Sequence, residues 1–110
     1  MRRLTLSLIA LAVLAVPASA GGPPVVKLHD DFLKPTKVTV QKGGKVVYRW
    51  KGENEHNVAI LKRGTQNAKR RSGVKIKGKF THKFGIAGTW RVICEIHPDS
   101  MKMKVVVKRP

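Results

Sequence analysis

The chain has 110 residues, one cysteine, and 23 lysines and arginines against 6 acids, a formal net charge of +17. That length supports one small domain with a single modest core and excludes two. The charge steers anionic partners, whether acidic protein, anionic lipid, cell-wall polymer or nucleic acid, and is silent about fold, while the lone Cys94 excludes a disulfide within the chain.

In chain order, "MRRLTLSLIALAVLAVPASA" opens with two arginines, continues with an apolar run from Leu4 to Val16, and ends on the small-residue signal Ala18-Ser19-Ala20. This reads as a secretory signal peptide over 1–20, cleaved after Ala20. The apolar run falls short of the roughly 20 residues of a membrane span, and no second such stretch follows. The expected product, 21–110, is a soluble exported domain, periplasmic, cell-wall-associated or secreted, with 21 basic and 6 acidic side chains.

The rest reads as strands with almost no helix. "VVKLHDDF" supplies a first strand, and "TKVTV" and "KVVYRW", separated by the glycine turn "QKGGK", are expected to form a hairpin with Val46, Tyr48 and Trp50 on one face. "HNVAIL" is another strand, and "KRGTQNAKRRSG" is expected to be an exposed basic loop. "KGKFTHKF" offers Phe80 and Phe84 to one side. "GTWRVIC" turns Trp90, Val92 and Cys94 inward, and "KMKVVVK" does the same with Met103, Val105 and Val107. Such a series of short strands predicts an all-β sandwich of about seven to eight strands.

Cys94 stands just before "EIHPDSMKM". His97 follows it across a two-residue gap, Met101 comes four positions later at a strand boundary, and His56 opens a strand upstream. If the strands of His56 and Cys94 are neighbours, one thiolate, two imidazoles and one thioether gather at one end of the sandwich. Two histidines and a cysteine with a distant methionine form a blue-copper ligand set, whereas structural zinc asks for more thiolates and calcium or magnesium for oxygens. The expected cofactor is one copper ion cycling between Cu(I) and Cu(II), and the expected activity is single-electron transfer.

At these residues the chain resembles the cupredoxins, the plastocyanin, amicyanin and pseudoazurin group. "DFLKPTKVTVQKGGKVVYRW", "EHNV" and "GTWRVICEIHPDSMKMKVVV" resemble the family's N-terminal strands, first-ligand segment and closing ligand loop. The resemblance implies a cupredoxin-like Greek-key β-sandwich with His56, Cys94, His97 and Met101 as copper ligands. It also implies a supporting role for Asn57, which would orient the site and hydrogen-bond toward the cysteine sulfur. Amicyanin-like loops have two residues between histidine and methionine and plastocyanin-like loops four; here three precede Met101 and five precede Met103. Met101 is preferred because Met103 shares a face with Val105 and Val107. His29 and His82 are left out of the site as surface or core side chains.

Four acids, Glu53, Glu55, Glu95 and Asp99, lie within three positions of a ligand candidate, and they are expected to favour Cu(II) and lower the reduction potential. The expected partner is a transiently met redox protein with an acidic docking surface, and the protein is expected to be a monomer that binds no nucleic acid. Two other function classes compete: a copper carrier or buffer without redox turnover, and an anion-binding module built on the basic stretches. An enzyme is disfavoured, since no nucleophile with its base, no phosphate-cradling glycine loop and no spare histidine cluster is present.

Overall fold

The computed structural model describes residues 22–110, and the expected signal segment lies outside them. The described residues form nine strands: β1 (Val25–Leu28), β2 (Leu33–Lys34), β3 (Lys37–Gln41), β4 (Lys45–Trp50), β5 (Ala59–Leu61), β6 (Ala68–Arg71), β7 (Gly78–Lys83), β8 (Gly88–Ile93) and β9 (Lys102–Lys108). Of these, β1, β4 and β9 alternate most regularly between buried and exposed positions, whereas β5 is buried throughout. They form two sheets, β2-β1-β4-β7 and β3-β9-β8-β5-β6. Among the described residues no helix is long and apolar enough to cross a membrane.

A sheet with one apolar face must bury that face against another, and the inward residues here come from both sheets. Val26, Leu28, Val46, Tyr48 and Trp50 meet Val38, Trp90, Val92, Met103, Val105 and Val107 in one core that also contains Cys94 and Met101. The all-β sandwich is as expected, with nine strands rather than seven or eight.

Two expectations are corrected. β3 and β4 are not a hairpin: β3 pairs in parallel with β9, while β4 pairs in parallel with β1 and antiparallel with β7. The intervening turn is held by amides of Lys42 and Gly43 that donate to the carbonyls of Lys108 and Phe84, so it hands the chain from one sheet to the other. The basic stretch is not all loop either, because Ala68–Arg71 adds an edge strand to β5. β6 is mostly exposed and therefore carries no alternating apolar signal.

Candidate metal centre

Three of the four candidate ligands come from one closed loop. β8 ends at Ile93, paired with Lys102 at the start of β9. Between them the amide of Cys94 donates to the Met101 carbonyl, and the amide of Met101 donates to the His97 carbonyl, each at 2.9 Å. This backbone closure sets the buried side chains of Cys94 and Met101 at one level of the core. Met103 lies two residues further along β9, opposite Val92.

His56 arrives from the neighbouring strand, since β5 pairs with β8 through Ala59 and Ile93. Just ahead of β5, His56 exchanges two backbone hydrogen bonds of 3.0 Å with Lys75, and its carbonyl accepts from Trp50 Nε1 at 2.9 Å. Its ring is fully buried, with Nδ1 3.9 Å from Cys94 Sγ and Nε2 3.1 Å from Asp30 Oδ1. The exposed His97 ring stands edge-on to it, centroids 5.6 Å apart at 64°.

The separation of His56 Nδ1 and Cys94 Sγ fits a shared metal ion. A nitrogen at about 2.0 Å and a thiolate at about 2.3 Å from one first-row ion stand about 3.7 Å apart across a trigonal angle. The His56–Cys94 separation of 3.9 Å is close to that. Among the described residues no three histidine, cysteine, aspartate or glutamate side chains converge as a closed ligand group. In this set the fourth donor is a thioether and the second imidazole comes in from an exposed loop.

Around the candidate ligands, polar contacts join separate segments. Asn57 Nδ2 donates to Glu95 Oε1 and Asn57 Oδ1 accepts from the Glu95 amide, both at 2.8 Å. The Asn57 side chain therefore clasps the residue after Cys94 rather than reaching the sulfur. Glu95 in turn accepts a bidentate pair from Arg71 at 2.9 and 2.8 Å. Arg71 first, then Asn57, holds the Glu95 carboxyl below its ordinary range. Asp30 accepts from the amides of Glu53 and Asn54 as well as from His56, and the Asn54 amide, then His56, lowers its carboxyl.

Asp30 and Arg71 escaped the sequence reading. Both lie far along the chain from the residues they touch, and no spacing rule joins a turn aspartate or an edge-strand arginine to a histidine or glutamate more than 20 positions away. His29 stacks on Phe32, and His82 receives a contact from Arg70 Nη1 at 3.2 Å. Neither touches the ligand candidates.

Residues 29–108 match the model of the copper binding proteins of the plastocyanin/azurin family. Among solved structures, the reduced state of an amicyanin mutant is 26% identical over 80% of this chain and 84% of its own, with a TM-score of 0.68. An oxidised amicyanin mutant is 25% identical over 86% of this chain and 90% of its own, at the same TM-score of 0.68. The novel purple cupredoxin from Nitrosopumilus maritimus is 17% identical over 77% of this chain and 99% of its own, TM-score 0.69, a likeness of fold alone. No curated protein matches the chain in sequence.

Proposed function

The chain belongs to the plastocyanin/azurin family of copper-binding proteins, and from that premise we propose an exported blue-copper protein whose single copper is held by His56, Cys94, His97 and Met101. Its role is to carry single electrons between redox partners. When bound, copper supplies a centre that gains and loses one electron within a largely unchanged ligand set. The observation that carries the reading is the buried His56 Nδ1 facing the Cys94 thiol at 3.9 Å.

Each residue has a separable task. Cys94 sits where water is excluded, so its thiolate would be compensated by the metal rather than by solvent. His56 anchors the site from the segment just ahead of β5, and the closed 94–101 loop sets Met101 beside the cysteine. Met103, packed between Met101 and Val105 on the inward side of β9, fills the core. His97 is the exposed imidazole, and its edge is the way for an electron to leave. The partner is a redox protein met transiently, with an acidic surface toward the cationic body. The chain acts as a monomeric carrier rather than an enzyme, and residues 1–20 direct its export.

The test is a Cu(II) titration of the protein lacking residues 1–20, followed by visible absorption and electron paramagnetic resonance. The expected result is an intense thiolate-to-copper band saturating at one equivalent, with small copper hyperfine splitting, both abolished by Cys94→Ser. Colourless or multi-equivalent binding would exclude this ligand set and turn attention to copper carriage.

A further inference from the structure

The sequence-based expectation placed the tuning carboxylates at Glu53, Glu55, Glu95 and Asp99, beside the ligands in the chain. In space, the carboxylate that touches a candidate ligand is Asp30, 26 positions from His56 and in the β1–β2 loop. We propose that Asp30 is a positioning residue of the metal site. It holds His56 in the tautomer that presents a bare Nδ1 toward Cys94, and it biases the bound copper toward Cu(II).

An ionised carboxylate only accepts hydrogen bonds. The 3.1 Å contact between Oδ1 and Nε2 therefore calls for a proton on Nε2, and of the two neutral tautomers it selects the one whose bare Nδ1 lies on the side of the thiol. Carboxylate–histidine pairs of this kind orient a metal-bound ring and raise its basicity. A more basic ligand beside a fixed negative charge favours the more positive metal state, so the reduction potential falls.

Asp30 is built into its place. Its Oδ1 also accepts from the amides of Glu53 and Asn54, each at 2.9 Å, which ties the β1–β2 loop to the segment leading into His56. Gly52 is the residue that makes room, because a Cβ there would collide with the Asp30 carboxylate. By contrast, Glu95 is engaged by Arg71 and Asn57, and the neighbouring Asp31 is exposed.

This inference rests on the ligand assignment proposed above, so its test has one arm free of metal. In the copper-free protein, nitrogen-15 shifts of the His56 ring should report the Nε2–H tautomer alone, and Asp30→Ala should convert it to a mixture of both. In the copper protein, Asp30→Asn keeps an acceptor for Nε2–H and removes the charge. It should keep the blue band while reducing the preference for Cu(II) over Cu(I) about tenfold, an upward shift of about 59 mV for a one-electron couple.

Asp31→Asn removes the same charge without the contact and should move the potential far less, and Gly52→Ala should reproduce the tautomer mixing of Asp30→Ala. An Nδ1–H tautomer in the copper-free protein, or equal shifts from Asp30→Asn and Asp31→Asn, would overturn the proposal. Failure of the ligand assignment would show differently, as a correct tautomer in a protein with no blue band.

Discussion

His56 and His82 are both buried histidines, yet their ring nitrogens meet opposite surroundings. His56 has a carboxylate on Nε2 and a thiol before Nδ1. The Nδ1 of His82 faces the guanidinium of Arg70 at 3.2 Å. Burial first, then Arg70 and Lys69, pushes the His82 pKa below its ordinary 6.5. The unfolded chain then binds the extra proton more readily than the native one, so stability is fully present above that value and is lost as pH falls through the lower folded value. The copper-free protein should therefore show a thermal midpoint that drops on acidification from pH 7 to pH 5, and His82→Gln should flatten the upper part of that drop. An unchanged profile in the variant would remove the assignment. Nothing in the sequence separates these two histidines except the company of Cys94, His97 and Met101. That company is a spacing pattern, whereas Asp30 and Arg70 are contacts made only on folding.

At the scale of elements, period-two alternation exposed the strands whose one face is core. Val46, Tyr48 and Trp50 are buried together, as are Met103, Val105 and Val107. What alternation leaves open is which strand lies beside which. "TKVTV" and "KVVYRW" read as a hairpin because a glycine turn joins them, but the turn crosses from one sheet to the other. Gly43 lies at its centre with φ of 90°, a backbone conformation that L side chains rarely adopt, and open space surrounds it. Gly43→Ala should therefore cost about 1–2 kcal/mol through backbone strain alone, read as a lower denaturant midpoint with unchanged slope. A neutral substitution would show that the turn relaxes. β6 is not legible in the sequence because its residues Lys69, Arg70 and Arg71 face solvent and carry no apolar rhythm.

Across the whole molecule, charge is segregated. None of the nine strands carries an acid; all six lie in the β1–β2, β4–β5 and β8–β9 loops, which meet around His56 and Cys94. Cations line up in register instead, Lys34, Lys27, Arg49 and Lys79 across one sheet, and Lys37, Lys104 and Arg91 across the other. Like charges directly opposite one another destabilise a sheet modestly; under the proposed function, the same cations would steer an acidic partner over long range. Electron transfer with an acidic redox protein should slow at least about tenfold as the screening length shrinks from about 30 Å at 0.01 M salt to about 8 Å at 0.15 M. Stopped-flow rates that ignore salt would exclude a steered encounter.

The class of fold, the inward residues of most strands and the combination of cysteine, two histidines and a methionine are legible in the amino-acid order. All of these are written in local periods and short spacings. That β3 and β4 part into different sheets and that a basic stretch adds an edge strand follows from how the packed chain pairs its strands. The same packing brings Asp30 to His56, and Asn57 and Arg71 to Glu95. Those contacts join positions many residues apart, and a hydrogen bond between distant segments leaves no periodic trace in the chain. Its geometry exists only once the core has packed the loops against one another.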